Sequence, residues 1–279
     1  MAETFGERLV VRARERGPLC VGIDPSVEAL AGFERGNDIT GLEFFMLRML
    51  EAVSDVAVAI KPQVAYFERF GSSGFRALER LLAEARDAEM LVVADAKRGD
   101  IGSTNDGYAQ AWLEDRSPLS ADALTLSPYL GMGAMSSLFE TAQRNERGLF
   151  VVVASSNEEG RPVQTARTST GESVEDFHLR QLAEINERCG ASVGFAGAVV
   201  GATRSASQFA LEDVRGPFLV PGVGAQGATA SDVGRLFGRC VKGSVLVNSS
   251  RGISAAGPER RALSDAARRL RDDLIAALF

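Results

Sequence analysis

Charged side chains stand at the ends of several of the most apolar segments of the sequence. Asp24 closes one such segment (LCVGID), and Lys61 closes a second (VAVAIK). Asp95 and Lys97 close a third (LVVADAK), and Asp100 follows in the next loop. Side chains two residues apart on a strand share a face, so Asp95 and Lys97 are predicted to point the same way. Each lysine beside a carboxylate favours the charged form of both groups, which predicts an array of fixed charges.

Such an array has a definite chemical use. A protonated lysine can act as a general acid and can stabilise a developing carbanion. A fixed carboxylate repels an anionic substrate group, and the repulsion is relieved when that group leaves as CO₂. The array therefore indicates a decarboxylation that uses neither a metal nor an organic cofactor. The alternative is a buried ion-pair network, but charges drawn from three strands favour catalysis because each buried ion is costly to desolvate.

A second group of residues has the features of a phosphate site. The segments PGVGAQG and NSSRG follow the last two apolar runs of the chain. Glycines such as Gly222 and Gly224 let backbone N–H groups approach an anion closely. Gln226 can donate one further hydrogen bond, and Arg251 can hold a phosphate through two parallel ones. The alternative is a pair of glycine-containing turns with a surface arginine.

Eight short apolar runs, rich in β-branched residues, recur along the chain and predict buried parallel strands. Amphipathic segments with charges at helical spacing lie between them. Eight strand–helix units indicate a single α/β domain over residues 1–279, a (β/α)₈ TIM barrel with strands over about 19–250. A lead-in helix precedes the barrel and a helix over 258–278 follows it, and the alternative fold is an open doubly wound sheet. The predicted strands are Leu19–Asp24, Val56–Lys61, Leu91–Lys97, Ala123–Ser127, Leu149–Ser156, Phe195–Thr203, Phe218–Val223 and Val245–Ser250.

The interval after the fifth strand is longer than the others. It contains Glu158–Glu172 (EEGRPVQTARTSTGE), a polar and turn-rich segment, before a predicted helix near Val174–Arg188. The active sites of barrel enzymes lie at the carboxyl ends of the strands, which is where this segment begins. Both a surface insertion and a lid over a ligand fit this pattern.

Composition excludes several classes of function. The 279 residues carry 31 basic and 37 acidic side chains, one histidine and three cysteines. The formal net charge of −6 argues against nucleic acid or a membrane surface as a partner held by bulk charge. His178 alone cannot form a histidine-rich metal site. Three scattered cysteines fit a reducing compartment, and no apolar run reaches the ~18 residues of a membrane span. We therefore expect a cytoplasmic protein.

Four segments of the sequence together resemble the orotidine 5′-phosphate decarboxylase family. They are DAKRGDIGST, GIDPS, IKPQVAYFE and PGVGAQG, of which the D-x-K-x-x-D element in the first is the most specific. The resemblance spans residues 22–252, and the long loop after strand five resembles the second bacterial subgroup. It implies decarboxylation of orotidine 5′-monophosphate to uridine 5′-monophosphate and CO₂, in pyrimidine biosynthesis, by a homodimer without a cofactor.

The resemblance also implies roles within the charged array. Lys61, Asp95 and Lys97 match its members, with Lys97 as the expected proton donor to C6 of the pyrimidine. Asp100 matches the member that the neighbouring subunit supplies, so each active site would be complete only in the dimer. The residues expected beside Asp100 are Ile101 and Thr104.

Further matches concern the substrate's other parts. Asp24 matches the residue that binds the ribose hydroxyls. Ser156 falls where the family reads the pyrimidine amide, although the adjacent Ser155 is an alternative. Gln226 and Arg251 match the phosphate contacts. The loop over 158–171 is expected to close over the base.

Two other functions remain open. A related sugar-phosphate decarboxylase or aldolase of the same barrel superfamily shares the D-x-K-x-x-D element but uses magnesium. Lys61 argues against it, because a metal site would want an acid at that position. A non-catalytic nucleotide-phosphate binding barrel would show a broken charged array, whereas all the members are present here.

Overall fold

Eight parallel strands form a closed barrel in the computed structural model, which describes residues 3–202, 210–224 and 227–279. Each strand pairs with the next along the chain, and the last pairs with the first through Leu19 and Val247. The TIM barrel that the sequence predicts is confirmed. The strands are β1 (Leu19–Ile23), β2 (Ala59–Pro62), β3 (Leu91–Arg98), β4 (Ala123–Leu126), β5 (Gly148–Ala154), β6 (Ala196–Val200), β7 (Phe218–Val220) and β8 (Val245–Ser249).

Helices surround the barrel, and the last begins at Arg260 because Glu259 before it is still extended. No helix in the described segments is both long and apolar enough to cross a bilayer. The helices are α1 (Phe5–Arg16), α2 (Val27–Gly32), α3 (Ile39–Val53), α4 (Ala65–Glu68), α5 (Gly71–Asp87), α6 (Ser103–Leu113), α7 (Ser136–Arg144), α8 (Arg161–Gln164), α9 (Val174–Cys189), α10 (Ala230–Phe237), α11 (Arg251–Ser254) and α12 (Arg260–Leu278).

Burial along the strands explains why the sequence runs are apolar throughout. Every residue of β1, β2, β4, β7 and β8 is buried, since one face packs inside the barrel and the other against helices. Strand β3 differs at its carboxyl end. It is buried as far as Asp95, and of its last three residues Lys97 is exposed while Ala96 and Arg98 are partly buried. A charged side chain can therefore stand at the end of β3 and still reach solvent or a ligand.

The lead-in helix α1 closes the opposite end of the barrel. Thr4 caps the helix through a reciprocal hydrogen-bond pair with Glu7. Phe5 is fully buried, and its ring meets the ring of Phe150 edge to face at 6.0 Å. Gly148, the first residue of β5, leaves the space for this ring, because a Cβ there would lie 2.3 Å from it. Phe5 thus acts as a plug beneath the barrel.

Replacing the plug should destabilise the barrel without touching its mouth. We expect Phe5→Ala to lower the free energy of unfolding by roughly 3–5 kcal/mol, because the missing ring leaves a cavity in a close-packed region. Urea denaturation measures the change. Val11→Ala on the same helix is the matched control, since Val11 is 50% exposed. Equal losses for the two variants would contradict the role given to Phe5.

Candidate active site

A cavity of about 340 Å³ opens at the carboxyl ends of the strands. All eight strands, or the loops directly after them, contribute lining residues. The predicted site residues that line it are Asp24, Lys61, Asp95, Lys97, Ser156, Gly222 and Arg251. The predicted residues outside its lining are Asp100, Ile101, Thr104 and Gly224. Gln226 lies outside the described residues.

The Asp95 carboxylate is the centre of the charged array. Its Oδ2 accepts a hydrogen bond from Lys61 Nζ at 2.6 Å, and its Oδ1 accepts one from Lys97 Nζ at 2.5 Å. Gln63 Nε2 donates to Oδ2 at 3.2 Å, and Thr125 Oγ1 donates to Oδ1 at 3.0 Å. Both ammonium groups thus converge on one carboxylate from neighbouring strands.

Burial and charge act in opposite directions on these groups. Burial by itself would raise the pKa of Asp95, but the charges and hydrogen bonds of Lys61 and Lys97 outweigh it and lower the pKa to about 2. Burial would likewise lower the pKa of Lys61, but the charges of Asp95 and Asp24 raise it above its ordinary value. Asp95 therefore stays ionised and Lys61 stays protonated at neutral pH.

The backbone at Lys97 is irregular. Lys97 has φ +47°, in the left-handed region that non-glycine residues rarely adopt, at a cost of roughly 1–3 kcal/mol. The pairing of β3 with β4 shifts at this point, because Ala94 pairs with Leu124 whereas Arg98 pairs with Leu126. Four steps along β3 therefore match two steps along β4, which forms a bulge. Lys97 leaves this bulge with its side chain half exposed in the cavity.

Two buried oxygens in the lining lack partners. Among the described residues, Asp24 Oδ1 and Asn248 Oδ1 are inaccessible to solvent and accept no hydrogen bond. Both residues line the cavity, on the adjacent strands β1 and β8 or the loop directly after. Buried acceptors without donors are costly, and a ligand could reach these two oxygens only if the cavity wall moved.

The other end of the cavity has a cation and open backbone. Arg251, the first residue of α11, is exposed and lines the cavity. Gly222 lines it with φ +96°, a conformation that glycine adopts without strain. Gly224 also has positive φ, and its N–H donates to the carbonyl of Ala228 within the same turn. Arg251 and Gly222 are therefore the predicted phosphate contacts that the structure brings to the cavity.

The long loop after β5 packs back onto the end of that strand. Gln164, the last residue of α8, donates from Nε2 to Ser155 Oγ at 2.7 Å. Its Oε1 accepts from the Ser155 backbone N–H at 3.2 Å. Ser155 and Ser156 both line the cavity, so Gln164 ties the loop to the cavity wall. Ser155 is the serine of the pair that the loop engages.

Sequence reasoning gave no individual role to five polar residues of the lining, namely Gln63, Thr125, Asn248, Ser249 and Ser250. A signal was present for two of them. Thr125 lies between apolar residues of β4 and Asn248 directly follows the apolar residues 245–247 of β8, and a buried polar side chain must find a partner. Gln164 was also missed, because nothing in its polar surroundings distinguishes it.

The arrangement can do acid chemistry on an anionic ligand. One ammonium group is held deep and the other, on Lys97, is accessible in the cavity. Within the described part of the chain, no three His, Cys, Asp or Glu side chains are placed together to hold a metal ion.

Comparison with known proteins gives a consistent family. A family model described as orotidine 5′-phosphate decarboxylase / HUMPS matches residues 17–266. An orotidine 5′-phosphate decarboxylase of Salinispora arenicola is 47% identical over 277 residues, covering 99% of each chain. A crystal structure from Streptomyces avermitilis, provisionally assigned to the same enzyme, is 47% identical with TM-score 0.94, over 99% of this chain and 96% of that one. The OMP decarboxylase structure of Leishmania donovani is 29% identical with TM-score 0.77, over 98% of both.

The lowered pKa of Asp95 predicts a specific acid sensitivity. Its pKa is about 2 in the fold and 3.8 ordinarily, so ionised Asp95 stabilises the fold fully above about pH 4 and loses this effect towards pH 2. The difference corresponds to about 2 kcal/mol. We expect the gap in unfolding free energy between wild type and Asp95→Asn to shrink as pH falls through this range.

Urea denaturation at pH 5, 4 and 3 measures the gap. Asp265→Asn is the control, since Asp265 is half exposed on α12 and should give a gap that varies little with pH. A gap for Asp95→Asn that is constant or widens on acidification would contradict the stabilising role of the ionised group.

Proposed function

The chain belongs to the orotidine 5′-phosphate decarboxylase / HUMPS family, and we infer how its cavity performs the reaction of that enzyme. It is a carboxy-lyase that converts orotidine 5′-monophosphate to uridine 5′-monophosphate and CO₂ in pyrimidine biosynthesis. The observation that carries the mechanism is the Asp95 carboxylate held between Lys61 and Lys97, at 2.6 and 2.5 Å, in a ligand-sized cavity.

We propose that Lys97 is the general acid. The bond between C6 of the pyrimidine and its carboxylate breaks, CO₂ leaves, and the bonding electron pair stays on C6. The Lys97 ammonium lies beside the developing negative charge and stabilises it, then gives C6 a proton. Lys97 is suited to this step because its side chain is half exposed in the cavity, whereas Lys61 is almost fully buried.

We propose that Asp95 has two effects on the same step. It holds both ammonium groups in place through direct hydrogen bonds, so little reorganisation is needed when charge develops on C6. It also places a fixed negative charge near the substrate's carboxylate, which disfavours the bound substrate relative to the state in which CO₂ departs. The low pKa of Asp95 supports both effects, because the group is charged at any physiological pH.

We propose that the remaining lining residues bind the nucleotide. Asp24, which lines the cavity, is suited to accept from ribose hydroxyls, and Ser156 to bind the pyrimidine amide. Arg251 and the glycine-containing turn at Gly222, with Gln226, would hold the phosphate. The phosphate is remote from C6, so its binding energy can help to close a water-poor site.

We propose that the active protein is a homodimer. Asp100, Ile101 and Thr104 lie outside the cavity of their own chain, and Ile101 is 62% exposed. An exposed isoleucine beside a carboxylate fits an interface in which this segment completes the partner's site. The D-x-K-x-x-D spacing, with Asp100 three residues after Lys97, also supports a dimer in which Asp100 contributes to the partner's site.

We further propose a cytoplasmic enzyme that folds as one domain over residues 1–279 and needs no metal or organic cofactor. The lone histidine and scattered cysteines support the compartment and the absence of a cofactor. Pairing of the first strand with the last supports a single domain, because the barrel closes only when both ends of the chain are present.

Lys97→Ala should reduce turnover by on the order of 10³-fold, because the proton donor and the cation at C6 are lost together. The loss of orotidylate absorbance measures the rate. Lys242→Ala is the matched control, since Lys242 is an exposed lysine before the amino end of β8 and does not line the cavity. Near-normal turnover by a folded Lys97→Ala protein would contradict the mechanism.

Mixing variants extends this experiment to the dimer. Asp100→Ala should also be inactive, but a mixture with Lys97→Ala should regain activity, because a mixed dimer contains one site with both native residues. Random pairing predicts about a quarter of wild-type activity. A mixture as inactive as its components, after exchange of subunits has been verified, would contradict the shared site.

A further inference from the structure

Thr125 lies opposite the bulge that contains Lys97. The pairing of Ala94 with Leu124 and of Arg98 with Leu126 leaves Thr125 as the β4 residue facing three residues of β3. A regular strand would give each of these three residues its own partner. At such a bulge the extra backbone groups need other hydrogen-bond partners.

The Thr125 hydroxyl supplies one of these partners. The backbone N–H of Lys97 donates to Thr125 Oγ1 at 2.9 Å. Because an amide N–H can only donate, the hydroxyl must accept in this bond, and its own proton remains available. The nearest acceptor for that proton is Asp95 Oδ1 at 3.0 Å, ahead of the Ala94 carbonyl at 3.5 Å. One hydroxyl therefore links the backbone of Lys97 to the carboxylate that its own side chain contacts.

The link closes a ring of contacts through the two charged residues. Lys97 Nζ contacts Asp95 Oδ1, Asp95 Oδ1 contacts the Thr125 hydroxyl, and the hydroxyl contacts the Lys97 N–H. Thr125 is almost fully buried, so water does not compete readily for these bonds. The next residue, Arg98, is held by an ion pair in which its Nη2 donates to Glu68 Oε1 at 2.6 Å. The left-handed backbone of Lys97 is thus held from both sides.

We propose that Thr125 is a positioning residue for decarboxylation: its hydroxyl holds Lys97 in its left-handed conformation and keeps the ammonium group and the Asp95 carboxylate in register. This inference rests on the proposed role of Lys97 as general acid. Thr125 acts through Lys97 and Asp95. Its loss should therefore weaken stabilisation of the developing charge on C6 more than binding of the ribose or phosphate.

The test compares Thr125→Ala with Thr125→Ser, which differ by one oxygen and share the same missing methyl group. Thr125→Ala should lower kcat by at least about tenfold, since a hydrogen bond to a charged group is lost in the transition state. KM should change by less than about threefold, because binding of the remote groups is unaffected. Thr125→Ser should retain kcat within about threefold of wild type, because it keeps the hydroxyl.

Matched controls separate this effect from packing. Thr125→Val keeps the shape and removes the hydroxyl, and should resemble Thr125→Ala. Thr141→Val makes the same change at a buried threonine on α7, whose hydroxyl accepts from Arg144, and should leave kcat unchanged. If Thr125→Val does not fold, the Ser and Ala pair decides the question alone.

Three outcomes would overturn the proposal. They are wild-type kcat in Thr125→Ala, equal impairment of Thr125→Ser and Thr125→Ala, and a loss confined to KM. Lys97→Ala measured in parallel distinguishes the two claims. An inactive Lys97→Ala with a fully active Thr125→Ala contradicts the role of Thr125 alone. An active Lys97→Ala contradicts the mechanism itself and, with it, any positioning role that acts through Lys97.

Discussion

The structure of the site depends on one buried carboxylate that two ammonium groups share. An ionised Asp95 could not be buried without compensating charge, and Lys61 and Lys97 provide it from two neighbouring strands. The chain has only three lysines, and its other basic residues are arginines. Two of the three stand at this carboxylate. Arginine would satisfy the charge, but its guanidinium holds its protons too tightly to give one to carbon, so the proton transfer we propose requires lysine.

The barrel places these groups by strand order and register. Parallel pairing brings the carboxyl ends of β1, β2 and β3 together, so Asp24, Lys61 and Asp95 meet although they are far apart in the sequence. Regular pairing does not position the Lys97 side chain. A bulge in β3 and the left-handed backbone conformation of Lys97 position it, and surrounding hydrogen bonds offset the conformational strain. The rest of the core, including the plug formed by Phe5, provides the rigid frame on which this strained segment depends.

Much of the architecture could be predicted from the sequence. Both faces of a strand in a closed barrel are buried, so each strand appears in the sequence as a continuous apolar run. The charged ends of those runs stood out for the same reason. A polar residue within an apolar run marks Thr125, but the contacts of Thr125, Gln63 and Gln164 could not be predicted, since each acts across a strand pair or loop whose register a single sequence does not specify. The left-handed φ of Lys97 could not be predicted either, because glycine is the residue type that indicates such a backbone conformation in a sequence. The start of the last helix was wrong by two residues, where Glu259 remains extended.

The central claim is that Lys97, held by Asp95, delivers the proton to C6. A crystal structure of the enzyme with uridine 5′-monophosphate bound tests it most directly, because the product carries the transferred hydrogen. The account predicts Lys97 Nζ at about 3–3.5 Å from C6, with its contact to Asp95 retained. A product bound with C6 directed away from Lys97, and with another proton donor at that distance, would contradict it.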